Sequence, residues 1–411
     1  MKTSLHCNSL KWSHFWKFLF SFKRSKGAHL LQNSVGNFFG INPNRVFLFG
    51  SARMSIYSII KTSNWTEKDE IIVVGYTCVV VTNAISYSGV KAVYADINED
   101  TLNIDTSNIH SLVNHNTKAI IISHNFGIVY EDIQLIKDQY PDLLIIEDAA
   151  HTFGSKDNKG DYAGLLGDAS YFSLEYSKAF TTGMGGVLIV NNEELKSRIE
   201  PYYQSLTKYP RISNIKILLT LKTHLFTSKR LTIKLKWKSL RLLNKLGLMF
   251  NSSQEELDGK MPEHYPVKLG NNLAYLGYLQ CEQMDSINKY KSEVARSYSE
   301  IFSNISRVKH YYHPDYNYVR YPILFDEDVS LNTILQIKSD LKKIGIVTGE
   351  WFNDVIHPKG SFRYNYNEGE CPIGESISRR IINLPVNIHY ALKPKDFDNI
   401  KSVFKKYLGS K

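Results

Sequence analysis

Acid is missing from two long stretches of this chain. Residues 1–66 hold nine Lys/Arg and no Asp or Glu, and residues 205–250 hold eleven Lys/Arg and again no acid. The formal charge of +10 is therefore local, because the remainder carries 30 basic against 40 acidic residues and is net negative. Cysteine is also scarce. Cys7, Cys78, Cys281 and Cys371 lie far apart with no CxxC pair, which excludes a zinc ribbon or disulfide framework and points to a reducing compartment, the cytoplasm. No metal site is expected.

The opening segment, LKWSHFWKFLFSFKRSK, places aromatic residues among lysines. A secretory signal puts its charges before an apolar run, whereas here lysines interrupt a short run and Lys23, Arg24 and Lys26 follow it; export is not expected. The second basic segment alternates aliphatic clusters with Lys/Arg, and its uncharged stretches are too short to span a bilayer. Two readings stand for residues 1–30 and 205–250. They lie as amphipathic helices at the inner face of an anionic membrane, or they are basic surface helices packed on the body or on a partner subunit, the more ordinary case. Nucleic acid is not an expected partner, because no groove-reading motif is present.

At 411 residues with 43% hydrophobic content, two packed domains are expected. Short apolar runs alternate with helical stretches between residues 50 and 205: EIIVVG, KAVYAD, AIIISH, LLIIED, SYFS and VLIVNN. Such runs suit strands buried on both faces of a mostly parallel sheet. Open α/β sheets bind ligands at the carboxyl ends of their strands, where His124, Asp148 and Ser173 fall. From about residue 268 a long helical stretch precedes strand-like VRYPILF, a helix near 330–344 and a last helix ending in FDNIKSVFKKYL. The expected division is a basic aromatic segment at 1–40, a large α/β domain at 41–204, a basic amphipathic insertion at 205–265 and a smaller α+β domain at 266–411.

Lys178, in SLEYSKAFTTGMGG, follows Asp148 of IIEDAAH by 30 positions. An amine and a carboxylate on one sheet rim suit pyridoxal 5′-phosphate. The lysine can close an imine with its aldehyde, and the aspartate can keep its pyridine nitrogen protonated. Alone, each residue has a plainer role, as a solvated lysine or a helix-capping aspartate. Their spacing, together with the Gly183, Gly185 and Gly186 turn, favours chemistry.

GSARMSIYSI, GYTCVVVTNAI, VKAVYADINEDTLNID, SHNFG, IIEDAAHTFGS, GDASYFSLEYSKAFTTGMGG and CPIGESISRRIINLPV occur in that order. From about residue 45 onward the chain resembles the DegT/DnrJ family of sugar aminotransferases. The resemblance implies the aspartate-aminotransferase fold (fold type I) and a homodimer with each active site bordered by both subunits. It makes Lys178 the Schiff-base lysine and Asp148 the pyridinium partner. It assigns the cofactor phosphate to the backbone at Ser51 and Ala52 and to the Ser173 hydroxyl, and it places His151 near the ring oxygen. Arg53 is either a phosphate ligand or an ion-pair residue, and His124 and Asn125 are either site or hydrogen-bonded structure. Asn271 or Asn272 would be an asparagine that crosses the dimer interface to the phosphate.

The sequence also departs from the family pattern. Cys78 stands where many members carry a ring-stacking Phe or Trp, so ring clamping must be thinner or come from elsewhere. Met184 replaces a frequent glutamate, and Lys268 falls where arginine is common. The implied activity moves an amino group from an amino acid, L-glutamate by resemblance, to a nucleotide-linked keto-sugar for surface polysaccharide such as O-antigen or capsule. The alternatives are a sugar dehydratase on the same scaffold, whose members replace the lysine by histidine, and a non-catalytic membrane-associated regulator.

Overall fold

In the computed structural model, residues 9–226, 233–250, 253–388 and 392–410 are described. Cys7, the first eight residues of the aromatic segment and residues 227–232 of the basic insertion lie outside them. The chain begins with α1 (Trp12–Phe20) and α2 (Gly27–Phe39), followed by β1 (Val46–Phe49) and α3 (Ala52–Thr62). Next come β2 (Glu70–Val74), the two-residue β3 (Thr77–Cys78), α4 (Val79–Tyr87), β4 (Lys91–Ala95), α5 (Thr106–Leu112) and β5 (Thr117–Ser123). After α6 (Ile133–Gln139) the strands β6 (Leu144–Asp148), β7 (Ala169–Ser173) and β8 (Gly186–Val190) complete the large sheet.

That sheet has seven strands in the order β1-β8-β7-β6-β5-β2-β4. From β7 to β4 all neighbours run parallel, and β8 is antiparallel to both β7 and β1. The mostly parallel sheet expected from the apolar runs is present. The sequence reading missed β1, VFLF, because four apolar residues beside a basic segment give no period to read. The antiparallel return of β8 has a consequence for the site: Gly186 pairs with Ser173 on one side and with Phe49 on the other. The end of β1, leading into Ser51, is thereby brought to the edge where β5, β6 and β7 end.

The sheet is followed by α7 (Glu193–Ser205), the insertion helices α8 (Arg211–Phe226), α9 (Ile233–Lys245) and α10 (Ser253–Leu257), then α11 (Asn271–Cys281) and α12 (Met284–Phe302). The single long helix expected from residue 268 is two helices, broken at Glu282 and Gln283. The reason is packing. α11 is buried on nearly every side beside α2, whereas α12 is amphipathic and turns one face to the C-terminal domain. The approach of α2 to α11 is so close that a Cβ at Gly27 would stand 2.0 Å from the Asn271 carbonyl oxygen.

The C-terminal part contains β9 (Val308–His310), β10 (Arg320–Phe325), α13 (Leu331–Lys343), β11 (Ile356–His357), α14 (Pro372–Arg380), β12 (Ile381–Pro385) and α15 (Pro394–Leu408). β12, β10 and β9 form an antiparallel sheet in that order, and β11 pairs in parallel with β3. Apolar side chains divide into two cores on opposite faces of the large sheet. Ile71 and Val73 belong to a core with residues of α3, α4 and α11, whereas Ile72, Val74, Ile120 and Ile122 belong to one with residues of α5, α6 and α12 to α15. Alternation along buried strands thus feeds two cores from one sheet.

Both basic segments give one side to the body. Phe15 and Phe18 of α1 and Ile217 and Leu221 of α8 are buried, while Trp16, Phe20, Phe22, Ile212 and Ile215 are exposed. Among the described residues no helix is long and apolar enough to cross a membrane.

Candidate active site

A cavity of about 510 Å³ opens at the carboxyl edge of the large sheet. Asp148 ends β6 and is paired in register with Ser123 on one side and Tyr171 on the other, which sets its carboxylate at the middle of that edge. Its Oδ1 accepts the Ala150 N–H at 3.1 Å, and the Tyr171 hydroxyl lies beside it. Burial raises the Asp148 carboxyl, against the pull of the Ala150 N–H, Tyr171, Lys178 and His124.

Lys178 enters the same cavity from a tight loop. The Lys178 N–H donates to the Glu175 carbonyl at 3.1 Å, Thr182 N–H to Leu174 at 3.0 Å, and Gly183 takes φ +87°. The Gly183 turn predicted from TTGMGG is therefore the device that presents the lysine, because a positive φ costs glycine little. Lys178 is 8% exposed, and its amine stands 4.6 Å from the ring centroid of Trp351. Burial depresses its pKa, opposed by Glu175, Cys78 and Asp148 and reinforced by Arg320. The net effect is to make the amine easier to deprotonate than a solvated lysine.

His151 also lines the cavity. Its Nδ1 accepts the Phe126 N–H at 3.1 Å, so the neutral ring carries its proton on Nε2. Burial, with the charges of Lys178 and Arg320 acting the same way, lowers its pKa well below 6.5. Ser51 is the N-cap of α3, 2% exposed, and its Oγ is a buried hydroxyl without a hydrogen-bond partner. Ala52 follows in the first turn, and a Cβ on Gly186 would stand 2.4 Å from the Ala52 nitrogen. An uncommitted hydroxyl at the N-terminus of a helix suits a phosphate. Ser173, at the end of β7, and Cys78, the N-cap of α4, line the cavity with Ala52, whereas Ser51 is not among its lining residues.

Other candidates are placed differently. Asn271 does not line this cavity: its Nδ2 donates to the Ser25 carbonyl at 2.6 Å and its Oδ1 accepts from Ala28 N–H. Asn271 thus fastens the N-terminal segment to α11, while its neighbour Asn272 is exposed. His124 has both ring nitrogens engaged, with Glu147 at 2.9 Å and the Tyr130 N–H at 3.0 Å. Asn125 ties the Tyr76 and Leu102 carbonyls together. Both line the cavity, with their polar groups committed to its framework. Arg53 is not a surface pair: its guanidinium grips Glu256 of α10 with two nitrogens, one at 2.5 Å. Burial opposes that charge, yet Glu256 holds the guanidinium above its usual pKa.

Several cavity residues escaped the sequence reading. Trp351 stacks on His151 at 5.0 Å with planes 5° apart, supplying the aromatic surface that Cys78 lacks. Arg320, His357 and Glu256 also reach in. The one signal available was Arg320 itself, a charge opening a strand whose other residues are apolar or aromatic.

The chain matches the DegT/DnrJ/EryC1/StrS aminotransferase family over residues 50–405. It is 28% identical over 376 residues to an uncharacterised protein of Methanocaldococcus jannaschii, covering 89% of this chain and 85% of that protein. It is 26% identical over 356 residues to the spore coat polysaccharide biosynthesis protein SpsC of Bacillus subtilis, covering 85% and 82%. A 134-residue stretch is 37% identical to the GDP-perosamine synthase of Escherichia coli O157:H7, covering 32% of this chain and 36% of that enzyme. Among solved structures, Helicobacter pylori PseC, an aminotransferase involved in pseudaminic acid biosynthesis, superposes with TM-score 0.74 at 19% identity, covering 99% of both chains. The sugar aminotransferase Spr1654 of Streptococcus pneumoniae, solved in its PLP and PMP forms, gives TM-score 0.74 at 17–18% identity and covers 98% or more of each chain. With a lysine, a carboxylate and a helix N-terminus gathered at one sheet edge, the chain belongs to the DegT/DnrJ/EryC1/StrS family and is a pyridoxal-phosphate-dependent aminotransferase.

Proposed function

We propose that this enzyme takes the amino group of L-glutamate and delivers it to a nucleotide-linked keto-sugar used in a surface polysaccharide. The observation that carries the reading is the meeting of Lys178 and Asp148 in one buried cavity. Relatives that make perosamine and spore coat polysaccharide support the sugar class.

Pyridoxal phosphate supplies, when bound, an aldehyde for the lysine and a ring that stabilises a carbanion. The chain's own residues do the rest. Lys178 Nζ, its pKa lowered by burial, would take the proton from the donor's Cα and, in the second half-reaction, give one to the acceptor carbon that gains nitrogen. Asp148 holds positive charge at the pyridine nitrogen, and the His151 Nε2–H donates to the ring oxygen. The Ser51 and Ser173 hydroxyls and the first-turn N–H of Ala52 hold the phosphate. A second copy of the chain completes the site with Asn272 as the crossing asparagine, a choice supported by the commitment of Asn271 to Ser25 and Ala28.

The dehydratase alternative is disfavoured by the retained Lys178, and the non-catalytic alternative by Lys178 and Asp148 facing one cavity. Mixing keto-sugar nucleotides with glutamate should give one aminated product by mass detection. The wild type should show a cofactor absorbance band that shifts on adding glutamate, and Lys178→Ala should lose activity by more than about 10³-fold. A Lys178→Ala protein with the wild-type band and rate would remove the reading.

A further inference from the structure

The two segments that lack acid meet at one corner of the molecule. The turn Phe22–Lys26, which follows α1, is fastened there by Asn271, whose Nδ2 donates to the Ser25 carbonyl at 2.6 Å. The preceding residue, Gly270, faces α8, for a Cβ on it would stand 3.3 Å from the Asn214 Oδ1. Residues 270 and 271 thus hold the end of the aromatic segment beside the start of α8, although the whole large sheet separates the two in the chain. α9 in turn packs against α8. The corner turns apolar side chains outward among cations. Phe22 is 97% exposed and Phe20 76%, with Trp16 and Leu19 of α1 exposed beside them, and Ile212 and Ile215 of α8 are exposed too. On α9, Lys238, Arg241, Leu242, Lys245 and Leu246 recur at helical spacing and are all exposed, whereas Leu240 is buried.

Lys17, Lys23, Arg24 and Lys26 stand among these aromatic residues and are exposed. Among the described residues none of the four has an acidic partner, and residues 1–66 contain no acid to offer. A patch of this kind marks a docking face. Its occupant must accept aromatic and aliphatic side chains and supply negative charge over a wide area. The headgroup layer of an anionic bilayer does both, taking Trp, Phe and Leu toward the acyl boundary while its phosphates meet Lys and Arg. A second copy of the chain fits the same patch poorly. A symmetric pair closed through it would set Lys17, Lys23, Arg24 and Lys26 against the same cations of the other copy. Asn272, assigned above to the dimer seam, lies at the edge of this corner. A two-fold axis standing normal to a membrane presents the equivalent patch of both copies to that membrane, so seam and lipid face are neighbours and the two patches add.

We propose that the corner built from α1, the turn at 22–26, α8 and α9 docks on an anionic lipid surface, with Phe20 and Phe22 entering the headgroup layer. This inference is independent of the donor and acceptor named above.

Flotation of the full-length, cofactor-loaded enzyme with vesicles tests the proposal. The protein should rise with vesicles of equal parts phosphatidylglycerol and phosphatidylcholine and stay behind with phosphatidylcholine alone. Binding to the anionic vesicles should weaken as salt is raised to about 0.5 M, where surface charges are screened. Phe20→Ser/Phe22→Ser should lower the partition coefficient by about tenfold or more. Lys23→Glu/Lys26→Glu should lower it by about 30-fold. Both variants should keep the wild-type circular dichroism spectrum and cofactor absorbance band. A wild type that stays behind with anionic vesicles, equal flotation with neutral and anionic vesicles, or variants that float as the wild type does would each overturn the proposal. So would a Phe20→Ser/Phe22→Ser protein that sediments as a monomer where the wild type is a dimer, because the face would then belong to a second copy. If that variant does not fold, Lys23→Glu/Lys26→Glu decides alone, and wild-type flotation there would overturn the assignment.

Discussion

Asp148 and His357 bear on the cavity through opposite electrostatic errands. In the proposed reaction Asp148 would hold a proton on the pyridine nitrogen, so Asp148→Asn should preserve the fold and lower kcat by about 10²- to 10³-fold. Steady-state kinetics beside an unchanged circular dichroism spectrum checks this. His357 is kept neutral. Burial, reinforced by Arg320 and Lys178, pushes it down to about 4 from its ordinary 6.5. The unfolded chain therefore binds a proton near pH 6.5 that the folded chain refuses until about pH 4, and stability conferred above that window is lost as the pH falls through it. His357→Gln should flatten the dependence of unfolding free energy on pH between 6.5 and 4 by about one proton, measured by urea titration across that range. At this scale the sequence was legible where a residue stood in a distinctive local frame, as Lys178 and Asp148 did. It was not legible for His357 or Trp351, whose neighbours in the chain are ordinary loop residues.

Elements decide what the insertion does. α10 is only Ser253–Leu257, far too short to be stable alone, and it is held by what its residues reach. Glu256 meets Arg53, and its carbonyl accepts from Asn83 at 2.5 Å. Glu256→Gln leaves the buried Arg53 charge uncompensated and should cost about 3 kcal/mol, read as a lower urea midpoint with unchanged slope. α8 covers the other side of the site loop, where Ile217 would meet a Cβ on Gly183 at 2.6 Å. The composition of residues 205–250 announced basic amphipathic helices. It did not announce that Met249, Phe250, Glu256 and Leu257 of the insertion line the cavity, because the residues they touch lie far away in the chain, Arg53 and Glu256 being 203 positions apart. Broken helices are another limit. The helical period runs through residues 268–302 without a gap, yet α11 and α12 separate because their burial differs, and burial is not written in period.

For the whole molecule, one sheet serving two cores means that neither domain is self-sufficient. Ile72, Val74, Ile120 and Ile122 are 0% exposed in a core shared by α5, α6 and the C-terminal helices, and β3 pairs with β11 across the seam. A chain ending at residue 283 would lose the C-terminal share of that core and expose apolar side chains of α5, α6 and the sheet. It should fail to give a native near-ultraviolet circular dichroism spectrum, and the full chain should unfold in one transition by calorimetry. Two independent transitions, or a folded 1–283 fragment, would contradict this.

The sequence by itself determined the strand alternation, the order of the family's blocks and the Lys178–Asp148 pair. Each is encoded in a contiguous run whose period or turn chemistry acts locally. Only the tertiary structure decided that Asn271 is spent on the N-terminal segment, that Glu256 occupies Arg53, and that Trp351 and Arg320 face the lysine. Those contacts join segments up to hundreds of residues apart, such as Tyr76 and Phe352 at a separation of 276. They follow from how two cores share a sheet, a global packing outcome that no local pattern of residues carries.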